Sequence, residues 1–238
     1  MIITIDGPSG TGKTTVAKRV ADRLAFVYFD TGAMYRCFTW FVLEHNVQVD
    51  DLVAIKALLG KFTFNIVESN GIKHYFVGEN DVTETIRSRP VTAHVSAVAA
   101  LREVRASLLG NQHQFAQKRD AVFEGRDLGT VVFPHAEVKI FLTADPAIRA
   151  ERRLNEILEK RPEEAATLDR NQMLADIQRR DEHDSTREVA PLRCPPDALQ
   201  IDTSDLSIDQ VVDQIVKYAQ RVNCKTPRQQ KIDDFGIP

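Results

Sequence analysis

The sequence contains little that would staple, anchor or bias it. Its three cysteines, Cys37, Cys194 and Cys224, lie far apart, and no CxxC pair occurs. An odd count without paired spacing argues against a disulfide framework and against a thiolate zinc site; it fits reduced thiols in a cytoplasmic protein. No apolar run is long enough to cross a bilayer, so no membrane partner is expected. The opening MIITIDG reads as a strand and not as a signal peptide, because no cationic stretch precedes an apolar one. Charge of one sign is scarce as well: 31 Lys and Arg against 34 Asp and Glu leave a net charge of −3. That argues against wholesale nucleic-acid binding and leaves room for a local basic pocket. There is no internal repeat and no low-complexity tract. A monomer is the default expectation, since no apolar stripe is left over once the core is assigned.

What is present is an ordinary globular balance, 43% hydrophobic and 27% charged over 238 residues. That length suits one large domain, or a core with inserted subdomains. A β-branched run at 2–5 is followed by glycines at 7, 10 and 12. Val16, Ala17, Val20 and Leu24 then recur at helical spacing, predicting an amphipathic helix over about 13–25. A strand at 26–29 and a helix over 32–45 complete a βαβ pattern, which implies an α/β fold with a parallel sheet. The middle differs. Two β-rich runs within 61–80 flank Asn70-Gly71, a hairpin signal, so a small antiparallel patch interrupts the chain. Residues 90–118 return to helix with Pro90 in the first turn. AVFEG (121–125) and VKIFLTA (138–144) read as core strands, and Asp145-Pro146 as a helix start. A polar break at 159–168, a last strand within 197–202 and a last amphipathic helix around 208–215 follow. From Cys224 on, the polar tail is expected to fray.

GPSGTGKT (7–14) satisfies G-x-x-x-x-G-K-[ST] in full, with a strand before it and a helix after. Gly7, Gly10 and Gly12, with Pro8, Ser9 and Thr11 between them, would turn backbone N–H groups inward onto phosphate oxygens. The helix N-terminus at Lys13-Thr14-Thr15 adds a partial positive charge. Lys13 would reach the β- and γ-phosphates of ATP, and Thr14 would offer its hydroxyl to Mg²⁺. No NKxD motif for reading guanine occurs. A hydroxyl acceptor needs a base to take its proton, whereas a phosphate acceptor is already mostly a dianion and needs cations instead. The sequence offers dispersed arginines. Arg36 closes FDTGAMYR (29–36), and Arg126-Asp127 end a strand, where α/β ligands bind. Arg149, Arg152 and Arg153 share one face of a helix over 145–158; Arg180 and Asp184 stand four apart on the next helix; Arg187 lies just beyond. Surface helices also carry arginines, so a solvated face or an i,i+4 ion pair stays an open alternative for these groups on spacing alone.

Together, IDGPSGTGKTT, DTGAMYR, GRDLGTVVFP and RRDEHDSTREVAPL, in that order, resemble the bacterial cytidylate kinases, a branch of the nucleoside monophosphate (NMP) kinases, over about residues 1–222. The resemblance implies a P-loop NTPase-type sheet flanked by helices as a CORE (1–34, 106–148 and 185–223). It further implies an NMP-binding region (35–105) with a small antiparallel β insert and a short helical LID (149–184), and it gives 224–238 no counterpart. It implies in-line, Mg²⁺-dependent transfer of the γ-phosphoryl group of ATP to CMP or dCMP. It carries Ser96, Arg105 and Asp127 to cytosine recognition and Arg180 with Asp184 to the sugar. Arg36, Arg126 and Arg187, with a donating hydroxyl on Thr31, fall to the acceptor phosphate. Asp127 could accept from the exocyclic amine of cytosine, where uracil has a carbonyl. Lys13, with Arg152 and Arg153 of the LID, would neutralise charge on the moving group. Gly32 would let the helix approach and Asp30 would order the loop, while Tyr35 packs against either the nucleotide or the core.

Overall fold

The computed structural model describes residues 1–69, 72–117, 119–160, 162 and 168–225. In chain order the strands are β1 (Ile2–Asp6), β2 (Val27–Asp30), β3 (Phe64–Ser69), β4 (Ile72–Val77), β5 (Asn80–Asp81), β6 (Ala121–Gly125), β7 (Val138–Thr143) and β8 (Leu199–Asp202). The helices are α1 (Lys13–Leu24), α2 (Thr31–Glu44), α3 (Leu52–Leu59), α4 (Arg89–Ala100), α5 (Arg102–Ala116), α6 (Pro146–Lys160), α7 (Arg170–Thr186) and α8 (Ile208–Lys225). Five strands pair in parallel in the order β2-β6-β1-β7-β8, and β3-β4-β5 form a separate antiparallel sheet. The fold class read from the sequence is therefore the one adopted: a parallel sheet between helices, with a small antiparallel patch.

The parallel sheet is buried on both faces, which is why its strands read as apolar runs and not as alternating ones. On one side Ile3, Ile5, Val122 and Ile140 pack against Val16, Ala17 and Val20 of α1 and Val211, Val212 and Ile215 of α8. Each such aliphatic side chain contributes about 2 kcal/mol of transfer free energy when fully buried. On the other side Phe29 and Phe123 meet Leu128 and Val132. A third cluster joins α2 to α3, α4 and α5 through Phe38, Ile55, Val98 and Leu108. A fourth lays the antiparallel sheet on α2 through Cys37, Tyr75 and Val77.

Helix starts follow local chemistry. Asp30 caps α2 by accepting from Ala33 N at 2.9 Å, and Asp169 caps α7 by accepting from Gln172 N at 2.7 Å. The predicted helix over 90–118 is two helices. Leu101 adopts an extended backbone (ψ 125°), and α5 restarts after it. The break turns Arg105 back so that its Nη1 donates to Ala99 O at 3.1 Å. The hairpin signal is met by the β3–β4 pairing from Phe64↔Val77 to Ser69↔Ile72, although Asn70-Gly71 itself lies outside the described residues. Most of the polar break at 159–168 and the tail after Lys225 also lie outside them; α8 includes Cys224 and Lys225, where fraying was expected to begin.

Candidate active site

The ends of the parallel strands gather one set of polar groups, as the crevice rule for open α/β sheets requires. β1 runs into the glycine loop, which doubles back before α1. Gly7 (φ 146°), Gly10 (φ 82°) and Gly12 (φ 86°) all occupy backbone regions that side chains resist. A Cβ on Gly7 would lie 2.1 Å from Leu142 O. Behind the loop stands Arg149, which donates to Ser9 O at 3.0 Å and Ala144 O at 2.9 Å and pairs with Asp181 at 2.6 Å. The sequence alone left Arg149 between a functional and a solvated role; it is buried and braces the loop from the rear. Thr11 accepts at its carbonyl from Thr203 Oγ1 at 3.2 Å, which ties the loop to the end of β8. Thr15 is exposed.

Lys13 is buried, and its Nζ donates to Pro8 O at 2.6 Å. Burial, and then the Arg126 guanidinium, push its ammonium well below the ordinary lysine range. Thr14 donates its hydroxyl proton to Glu124 Oε2 at 3.0 Å. Glu124, to which the sequence assigns no role, is a buried acid bonded to the first turn after the loop. Its second oxygen accepts from the Tyr28 hydroxyl. Burial, followed by the nearby Asp30 charge, lifts its carboxyl to about 7. The signal for it was present, since AVFEG ends an apolar strand on an acid that only a function justifies burying. Asp6, at the end of β1, is likewise buried and accepts from Leu128 N at 3.0 Å and Gly129 N at 2.8 Å, fixing the turn that follows Asp127.

Across from the loop, Asp127 lies between two arginines. Its Oδ2 pairs with Arg105 Nη2, and its Oδ1 accepts from Arg187 Nη2 at 3.2 Å. Burial raises its carboxyl and outweighs both guanidinium groups. Arg105 also sits over the Tyr35 ring, 5.5 Å from its centroid. Tyr35 is buried, so it supports this trio from below. Ser96 is partly buried on α4, and its hydroxyl makes no hydrogen bond among the described residues. Arg187 Nε donates to Ala190 O at 2.7 Å.

A second group of cations stands beside them. Arg126 Nε donates to Asp184 Oδ2 at 3.1 Å. Arg36 donates to Ile86 O at 3.0 Å and Thr92 Oγ1 at 2.9 Å, and it has no ion pair among the described residues. Burial, then Arg180 and Arg87, lower the Arg36 guanidinium to about 9. Burial, then Arg126, lower that of Arg180 to about 10, and Arg180 Nε is buried without a hydrogen-bond partner among the described residues. Arg153 adds to the charge felt by both and pairs with Glu156 at 2.6 Å. Arg152 is placed differently from its expected role: Nη1 donates to Thr203 Oγ1 at 3.0 Å and Nη2 to Thr203 O at 2.5 Å, so it holds the loop after β8. Thr31 turns its hydroxyl inward, donating to Glu124 O at 2.8 Å. Chemically, this is a glycine loop beside a cluster whose guanidinium groups outnumber their carboxylate partners.

The family model described as cytidylate kinase matches residues 3–221. A cytidylate kinase of Protochlamydia amoebophila is 47% identical over 95% of this chain and 100% of its own length. One of Listeria innocua is 46% identical over 92% of this chain and 96% of its own length. Among solved structures, a shikimate kinase from Bacteroides thetaiotaomicron has a TM-score of 0.46 at 14% identity, covering 94% of this chain and 98% of that one.

Proposed function

The chain belongs to the cytidylate kinase family, and on that premise we propose that it transfers the γ-phosphoryl group of ATP to CMP or dCMP, giving ADP and the cytidine diphosphate. The observation that carries this reading is the crowding of Arg36, Arg126, Arg180 and Arg153 across from the P-loop. Arg36 and Arg180 lie within it without an ion pair among the described residues. Like charges so close are unfavourable unless an anion is meant to lie among them. A second phosphate ester fits, whereas a hydroxyl acceptor would want a free carboxylate base; Asp127 is held by two arginines, Asp184 by Arg126, and Glu124 by Thr14 and Tyr28.

ATP phosphates bind the 7–15 backbone, with Lys13 leaving Pro8 O to meet them. The acceptor phosphate takes Arg36, Arg126 and Arg187, with Thr31 shaping the floor; Arg180 and Asp184 take the sugar. Asp127, Arg105 and Ser96 read the cytosine edge. Asp127 keeps a lone pair on each oxygen after pairing with the arginines, so it can still accept from the exocyclic amine. Transfer is direct, and catalysis is positioning plus charge compensation by Lys13 and the neighbouring arginines. Arg153 acts from the LID (149–184), which closes with the NMP-binding region (35–105) over the CORE, while Arg152 sets the wall around Thr203. Thr14 Oγ1 and Glu124 Oε2, 3.0 Å apart, are the hard oxygen donors that suit Mg²⁺, which ordinarily takes one or two protein oxygens and completes its shell with phosphates and water. Bound there, the ion would offset phosphate charge.

No helix among the described residues is long and apolar enough to cross a membrane. We assign a cytoplasmic monomer acting on free nucleotides, without nucleic-acid or membrane partners. The deciding experiment is a coupled assay of ADP release over CMP, dCMP, UMP, AMP and hydroxyl acceptors. Turnover fastest with CMP and dCMP is expected; ADP release only with a hydroxyl acceptor, or with none, sinks the proposal.

A further inference from the structure

β2 is an edge strand of the parallel sheet, and its Tyr28 is contacted from two directions. Lys73 of β4, from the antiparallel sheet, donates to the Tyr28 carbonyl and lies over its ring, 4.9 Å from the centroid. The ring is buried against the α1 side of the core. The Tyr28 hydroxyl donates to Glu124 Oε1, and Glu124 Oε2 accepts from Thr14 at 3.0 Å. A continuous series of polar contacts therefore runs from the β insert to the first turn of α1: Lys73, Tyr28, Glu124, Thr14. Among the described residues neither Tyr28 nor Lys73 hydrogen-bonds to the loop; Tyr28 reaches it only through Glu124.

We propose that Tyr28 is a positioning residue: its hydroxyl fixes the Glu124 carboxylate in the rotamer that serves the metal-bound form of ATP, and Lys73 of the β insert fixes Tyr28. The physical reason is that a carboxylate has two acceptor oxygens and a three-torsion side chain. With one oxygen anchored by a buried phenol, the other is held at the mouth of the loop, next to the Thr14 hydroxyl. Without the phenol, Glu124 is free to rotate, and the oxygen pair that suits a divalent ion is present only part of the time. Outer-shell partners of this kind typically alter metal affinity by about 10–100-fold. Lys73 caps an edge carbonyl and clamps the ring in a single contact.

This rests on the phosphotransfer reading only for the identity of the nucleotide, and its test does not require turnover. The probe is a fluorescent ATP analogue whose binding is titrated with and without Mg²⁺. Tyr28→Phe keeps the ring and removes only the hydroxyl. It is expected to raise the Mg²⁺ concentration needed for half-maximal enhancement of binding by about tenfold, while metal-free affinity changes less than about twofold. Lys73→Met should shift the same quantity by a smaller factor, about threefold. Glu124→Gln should shift it at least as far as Tyr28→Phe, and the Tyr28→Phe/Glu124→Gln pair should be no worse than Glu124→Gln alone, since both act through one side chain. Thermal melting checks that each variant is folded; if Tyr28→Phe melts early, Lys73→Met carries the measurement. An unchanged Mg²⁺ requirement in the folded variants, or effects of Tyr28→Phe and Glu124→Gln that multiply, overturns the proposal. A protein that shows the Mg²⁺ shift yet phosphorylates no monophosphate would refute the kinase reading and leave this one standing.

Discussion

Asp184 accepts from Arg126 Nε at 3.1 Å and forms no ion pair with Arg180, its neighbour one turn earlier on α7. The i,i+4 surface pair that the spacing allows is thus replaced by a link between α7 and the end of β6. Burial pushes the Asp184 carboxyl up, but Arg126, Arg180 and Arg187 together hold it below the ordinary range. Asp184→Asn leaves those guanidinium groups facing one another. The expected cost is about 2–3 kcal/mol in urea unfolding, less than for a fully buried pair because Arg126 keeps 21% of its side chain exposed. The depressed acid gives stability that is present above its unfolded pKa and lost as pH falls through its lower folded pKa. The difference between parent and variant should therefore shrink on acidification below about pH 4. A pH-independent difference would refute the pairing.

Much of this was legible in the sequence because it is local. A glycine loop, its lysine and its flanking strand and helix impose demands on neighbouring backbone, and adjacent residues encode them. Four of the five parallel strands were visible as short apolar runs and β8 as the mixed segment 197–202, and the antiparallel patch was visible through its turn. Partner choice at long range was not legible. That Arg149 would lean on Ser9, 140 positions away, and Arg152 on Thr203, 51 away, depends on how α6 rotates against the sheet. Helical spacing places those arginines on one face without saying what that face meets. Glu124 was overlooked because period and propensity describe AVFEG as a strand and are silent about its single acid. The break at Leu101 was hidden because a leucine between two helical segments continues the apolar pattern; only the return of Arg105 onto Ala99 O reveals it.

Lys13 folds back onto its own loop, donating to Pro8 O at 2.6 Å. It is buried beside the glycine loop and stands among Arg126 and Arg180. Lys13→Ala should lower kcat by at least about 10³-fold, on the scale of losing one preorganised donor to developing charge. Melting should move by only a few degrees, since the variant also relieves a buried cation. Near-parental turnover in a folded variant would remove Lys13 from the chemistry.

Asp127 has both oxygens engaged, by Arg105 and Arg187. Asp127→Ala should lower kcat/KM for CMP by about 10²–10⁴-fold, the range expected when a hydrogen-bonding site loses its reader. The preference for CMP over UMP should collapse toward unity, while KM for ATP stays within about threefold. If discrimination survives in this variant, the base is read elsewhere.

Asp6 links the strand that leads into the glycine loop to the turn after Asp127, because its two oxygens hold Leu128 N and Gly129 N. Burial raises its carboxyl from 3.8 to about 7, and the two N–H donors only partly counter it. A folded pKa above the unfolded one means that the protonated acid favours the native state. Its contribution is complete below about pH 4 and is lost as pH rises through about 7, up to about 4 kcal/mol in all. Asp6→Asn lacks that titration. Urea unfolding of both proteins at pH 5, 6, 7 and 8 should show the parent losing stability relative to the variant across the first two steps and levelling over the third. The other carboxylates cancel in the comparison, so a constant gap between the two curves would mean that Asp6 stays ionised and that the turn beside Asp127 is held by charge at every pH.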